Sequence, residues 1–108
     1  MTIAQLIEDS TKIASQKGWL NDNRTFGDHI ALMHSELSEA LEEFRNGRAV
    51  DEIYFNGEKP EGIPVELADV IIRIAMLAGQ HNIDLEEALY TKGLYNATRS
   101  FRHGGKKI

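Results

Sequence analysis

The chain contains no cysteine. That excludes a disulfide framework and a thiolate-bound metal, and it fits a protein of a reducing cytoplasm. No apolar run approaches the roughly 20 residues of a membrane-spanning helix. The N-terminus, M-T-I-A-Q-L-I-E-D, lacks the basic start and long apolar stretch of a secretory signal. Internal repeats and low-complexity segments are absent, and tryptophan is represented by Trp19 alone. Positive charge is also in deficit. The formal net charge is -5, which argues against a general nucleic-acid binder. What remains is 108 residues, 42% hydrophobic and 27% charged, the balance of one soluble globular domain over 1–108 with a modest core.

Helical periodicity organises that material. Thr2 and Gln5 have capping-box spacing, and Ile3, Leu6, Ile7, Ile13 and Ala14 recur at helical period. They predict a first helix over about residues 3–17, ended by Gly18. Trp19 to Asn23 reads as a turn-rich connection, its tryptophan either a hydrophobic plug at a helix corner or an aromatic plate for a ligand ring. A second helix is expected from near Gly27 to Asn46, with Gly47 as its stop. Residues 48–63 break the period. Asn56-Gly57, Pro60 and Gly62 mark a long loop with a short extended piece at Ile53-Tyr54-Phe55, of the length used for lids and contact surfaces.

The third helix, V-E-L-A-D-V-I-I-R-I-A-M-L-A-G over Val65 to Gly79, starts after Pro64, where a first-turn proline is tolerated. It is apolar nearly all round, the mark of a buried helix. A chain of 108 residues can hardly bury every side of it, so the surplus face, Ile71, Ile74 and Ala78, points to a subunit interface and a homo-oligomer. Asp84 with Glu87 signals a fourth helix, from about Leu85 to Thr98. Its inward face, Leu85, Ala88 and Leu89, continues into Lys92, Asn96 and Arg99, so a core-facing stripe is expected to turn from aliphatic to cationic. The tail beyond adds Arg102, Lys106 and Lys107 without an acid, either a phosphate contact or a solvated end. The fold class is all-α, four helices with a long loop between the second and third.

Two of these helices carry acids at i and i+3: Glu36 and Glu39 on the second, Glu66 and Asp69 on the third. That spacing places each pair on one helix face. If the helices lie side by side, four carboxylates converge, and they cannot all stay ionised without compensation. Three compensations are open: raised pKa values, Arg73 at i+4 from Asp69, or a hard divalent cation, Mg²⁺ or Mn²⁺, suited to all-oxygen ligands. A di-iron bundle would need Glu-x-x-His, and none of the histidines has a glutamate three residues earlier. Lys92, Asn96 and Arg99 are residue types that hold phosphate oxygens. Together these features point to a nucleoside-triphosphate site.

The same residues carry a resemblance. E-L-S-E at 36–39, E-L-A-D at 66–69 after a spacer, then K-G-L-Y-N-A-T-R at 92–99 and H-G-G-K at 103–106 resemble the MazG-like nucleotide pyrophosphohydrolases of the all-α NTP pyrophosphatase superfamily. The resemblance spans roughly residues 20–107. It implies a four-helix MazG-like bundle assembled as an oligomer, and Mg²⁺-dependent hydrolysis of an NTP or dNTP to the monophosphate and pyrophosphate. This is a house-cleaning or pool-balancing activity; dUTP and phosphoribosyl-ATP are further substrates within the superfamily. Carried over residue by residue, Glu36, Glu39, Glu66 and Asp69 hold the metal, with Glu36 or Glu39 as the group that orients or deprotonates water. Lys92, Asn96 and Arg99 take phosphates, with Lys106 assisting. Trp19, Phe26 and His29, ahead of the first acid motif, are the candidates for the base. Glu43 and Arg73 are expected to flank the cage, Arg73 as the partner of Asp69. The rival reading is a non-catalytic helical interaction module with a solvated acidic face and a basic tail.

Overall fold

Every helix except the third begins where a side chain takes up a backbone N–H group that the first turn leaves over. In the computed structural model, which describes residues 1–19 and 23–99, α1 (Ile3–Gln16) opens on the expected capping box. Thr2 Oγ1 accepts from Gln5 N at 3.0 Å, and Gln5 Oε1 accepts from Thr2 N at 2.7 Å. A second box, unforeseen in the sequence, starts α2 (Phe26–Arg45): Thr25 Oγ1 accepts from Asp28 N and Asp28 Oδ2 from Thr25 N. These bonds hold the Asp28 carboxyl below its ordinary pKa.

The long loop contains a two-stranded antiparallel hairpin, β1 (Tyr54–Asn56) and β2 (Lys59–Glu61), closed by a turn at Gly57 and Glu58. Its end passes directly into α3 (Ile63–Gln80) through Gly62 at φ 120. A Cβ at Gly62 would strike the Glu52 carbonyl, so this junction requires glycine on grounds of both dihedral and space. Asp84 Oδ1 then caps α4 (Leu85–Thr98) by accepting from Glu87 N at 3.0 Å.

The architecture is all-α apart from this small hairpin. α3 packs against α2 on one side and α1 on another, and β2 touches it near its start. The buried side chains are small or slender: Ser10 and Ala14 from α1, Met33 and Ala40 from α2, Ile63, Ala75, Leu77 and Ala78 from α3. Small residues let the helices approach closely. At Gly79 the approach is closest, since a Cβ there would collide with Thr11 and crowd Ile7.

Two expectations about burial need correction. Only part of α3 is buried; Leu67, Ile71, Ile72 and Ile74 are exposed, Ile71 by 54%. The inward stripe expected on the fourth helix is not formed among the described residues. Leu85 is half-buried, and every following residue of α4 is exposed. Leu89, Tyr90, Leu94 and Tyr95 lie open on its surface, because α4 meets the other helices only lightly. The radius of gyration, 16.5 Å, is correspondingly large, against about 13 Å for a compact chain of this size. Among the described residues no helix is long and apolar enough to cross a membrane.

Candidate functional site

Packing α3 against α2 brings the two acid motifs together. Glu36, Glu39 and Glu66 each offer a carboxylate oxygen within 4.8 Å of the others. Glu36 and Glu39 lie one turn apart on α2, and Glu66 sits in the first turn of α3, where a negative charge is also favoured by the helix dipole. Glu66 Oε2 is buried and receives no hydrogen bond. Its neighbours are carboxylate oxygens, acceptors like itself, so a shared proton, a water or a cation has to satisfy it. Burial, followed by hydrogen bonding to Glu39 and Glu36 and by their charges, pushes the Glu66 carboxyl up to about 8.

The fourth expected ligand, Asp69, is not one of this trio. It lines the neighbouring cavity beside Glu36, and burial with the Glu36 charge raises its pKa against the opposing pull of Arg73 and Lys59. Arg73 does not take Asp69 as its hydrogen-bonding partner, as the i+4 spacing led one to expect. Its Nε donates to Glu36 Oε1 at 3.0 Å, across the helix interface. Glu43, one turn beyond Glu39, is tied to the hairpin: Tyr54 donates its hydroxyl to Glu43 Oε1 at 2.7 Å, and Arg48 stacks over the Tyr54 ring. Hydrogen bonding to Glu43, then burial, pushes the Tyr54 hydroxyl up to about 12.

From the acids a cavity of about 820 Å³ opens between α1, α2 and α3. That is within the usual range for a small-molecule site. Along α3 its wall passes from Asp69 through Arg73 to Ile72, Met76 and Leu77, and ends at Gln80. Of the three residues named as candidates for the base, Trp19 and His29 line it. Phe26 does not; its ring packs edge-on against His81, with centroids 5.1 Å apart. Ile13 and Ala14 of α1, Gly18, Asn23, Arg24 and Met33 also line it, and none of them was expected there as a ligand contact. The signal for Ile13 and Met33 was only apolar periodicity, which does not tell a cavity wall from a core.

Compared with known proteins, the chain matches no family model, no curated protein and no solved structure.

The expected phosphate-binding residues lie elsewhere. Lys92, Asn96 and Arg99 are exposed on or at the end of α4 and do not line the cavity. Lys92 Nζ sits 4.8 Å from the centroid of the Tyr95 ring and Arg99 Cζ 5.7 Å from it. The i+4 spacing places them along one side of α4, but α4 does not carry that side to the acids of its own chain. Lys106 lies outside the described residues.

The donor set fits a hard divalent cation. Three carboxylates converge, one with a buried oxygen lacking a donor, and no sulfur or imidazole is among them. Mg²⁺ and Mn²⁺ favour such oxygen ligands and complete their shells with water and phosphate.

Proposed function

We propose that the chain is a divalent-cation-dependent nucleoside triphosphate pyrophosphohydrolase. The observation that carries this reading is that Glu36, one of the converging carboxylate trio, lines with Asp69 one end of a large, mostly apolar cavity whose wall also holds a tryptophan, an imidazole and terminal amides. A nucleoside fits the apolar end, and its phosphates then reach the acids. The motif resemblance supports the same assignment.

In this reading Glu36, Glu39 and Glu66 hold Mg²⁺ or Mn²⁺, and Asp69 joins them from the cavity wall. When bound, the metal polarises the phosphoryl group and lowers the pKa of an attached water. Glu39 has no cationic partner among the described residues and accepts the proton of the attacking water. Water oxygen bonds to the α-phosphorus, the bond from that phosphorus to the α,β-bridging oxygen breaks, and its electrons leave with pyrophosphate. Trp19, His29, Asn23 and Gln80 receive the base, the rings by stacking and the amides by hydrogen bonds.

Lys92, Asn96 and Arg99 enter the reading through a second copy of the chain. The exposed apolar residues of α3 and α4 offer a surface for association. A homodimer or homotetramer that sets the partner's α4 across the acids would supply the cations that one chain alone keeps away from them.

The test is pyrophosphate release from a panel of NTPs and dNTPs with Mg²⁺, repeated with EDTA. Release that EDTA abolishes, and that a Glu39→Gln, Asp69→Asn variant lacks, is expected. The separation of acids from α4 cations within the chain favours one rival, a helical interaction module. No release above the variant's background would decide for it.

A further inference from the structure

Arg73 interrupts the apolar surface of α3 at the boundary between the acid end of the cavity and its apolar end. Asp69 lies one turn before it and Met76 one turn after, and all three line the cavity. Its hydrogen bonding is unusual for an arginine on a carboxylate, which commonly takes the bidentate fork. Arg73 reaches Glu36 through Nε alone, at 3.0 Å. The four N–H donors of Nη1 and Nη2 make no hydrogen bond among the described residues. The Arg73 side chain is 31% exposed and that of Glu36 13%, so the ion pair is partly withdrawn from water. The carboxylate it occupies belongs to the trio that would bind a metal, and cation and arginine compete for the same charge.

We propose that Arg73 is an exchanging counter-cation. It holds Glu36 while the trio carries no metal, and turns its free fork onto the phosphate next to the nucleoside when metal and nucleotide enter. The inference rests on the pyrophosphohydrolase reading and adds a residue that neither acid motif contains. Charge balance supports the exchange. A divalent cation on the trio takes over the compensation of Glu36, and the guanidinium is then nearest to a new anion, the phosphate at the mouth of the apolar chamber. A lysine at the same position would keep the charge but lose the fork.

Two measurements test it, neither of which needs turnover. Mn²⁺ binding to the wild type, Arg73→Gln and Arg73→Lys is followed by the electron paramagnetic resonance of free Mn²⁺. Without nucleotide, Arg73→Gln is expected to bind Mn²⁺ about fivefold more tightly, since a competing positive charge is gone. With Mn²⁺ present, the same variant is expected to bind a nucleoside monophosphate about tenfold more weakly, and Arg73→Lys to recover little of that affinity. In the wild-type chain, the Arg73 Nε resonance, assigned by its absence from Arg73→Lys, is expected to shift on addition of Mg²⁺ and again on addition of the monophosphate. Unchanged or weaker Mn²⁺ binding by a folded Arg73→Gln overturns the exchange, and so does an Nε resonance unmoved by Mg²⁺ in a wild type that binds it. Failure of the wild type to bind Mn²⁺ at all overturns the enzyme reading itself, and the exchange with it.

Discussion

The Tyr54 hydroxyl and the Glu43 carboxylate are joined by a 2.7 Å hydrogen bond that fastens the hairpin to α2 one turn beyond Glu39. The loop between the second and third helices is thus held against the acid helix, with Lys59 of β2 close enough for its charge to act on Asp69. Replacing Tyr54 by Phe removes the donor and leaves Glu43 to Arg48. A modestly lower melting temperature is expected, with the helical circular dichroism retained. Spectrophotometric titration should find a tyrosine ionising near 12 in the wild type and none so high in Glu43→Gln.

A second prediction concerns pH. The Glu66 carboxyl titrates at about 8 in the folded chain against 4.5 ordinarily, so between those values the folded state keeps a proton that the unfolded state has lost. The stability this provides is complete below pH 4.5 and is lost as the pH rises towards 8. Asp69 is shifted in the same direction. In EDTA the melting temperature should therefore be lower at about pH 8.5 than at about pH 5.5, and Glu66→Gln should flatten the difference. Mg²⁺ or Mn²⁺ should restore stability most at the higher pH, where no proton has to be displaced. A melting temperature that rises with pH in EDTA would contradict the proton-sharing trio.

Close approach of α1 and α3 at Gly79 leads to a third. A methyl group there meets Thr11, so Gly79→Ala should cost about 1–3 kcal/mol in equilibrium unfolding. The Thr11 hydroxyl is buried without a hydrogen-bond partner, and its removal forfeits no bond. Combining Gly79→Ala with Thr11→Ala should recover much of the loss, which a double-mutant cycle measures directly.

A fourth follows from the separation of α4 from the acids. If each site takes its cations from a partner, Glu39→Gln and a Lys92→Ala, Arg99→Ala double variant should each be inactive alone. Mixed through unfolding and refolding, they should regain about a quarter of wild-type turnover, because half the dimers are mixed and one of their two sites is intact. No recovery, with mixed dimers demonstrated by mass spectrometry, would place the whole site in one chain.

Helix positions were largely legible in the sequence because their signals are local. Thr2 with Gln5 and Asp84 with Glu87 each marked a start that the structure keeps, whereas α3 starts at Ile63, two residues before the expected Val65, with Pro64 inside its first turn. The second helix begins at Phe26, a residue before Gly27, because the Thr25–Asp28 box caps it there. The acid pairs were legible too, since i, i+3 spacing fixes a face. Which acids meet across two helices depends on rotation and depth: the sequence grouped Asp69 with the other three acids and paired it with Arg73, while the structure gathers Glu36, Glu39 and Glu66 and hydrogen-bonds Arg73 to Glu36. Periodicity misled most on α4. Leu85, Ala88 and Leu89 define a face, but a face does not say whether the surface it meets belongs to the same chain.

The rod of α3 has a metric consequence. Glu66 and Gln80 are separated by fourteen residue steps, about 21 Å at 1.5 Å per residue. Inserting a single residue between Asp69 and Met76 would turn one end by about 100° relative to the other while lengthening the rod by only about 1.5 Å. Spacing and orientation are therefore locked into one rigid gauge. A molecule that touches both ends is measured for length by the same helix that holds the acids, and the two requirements can change only together.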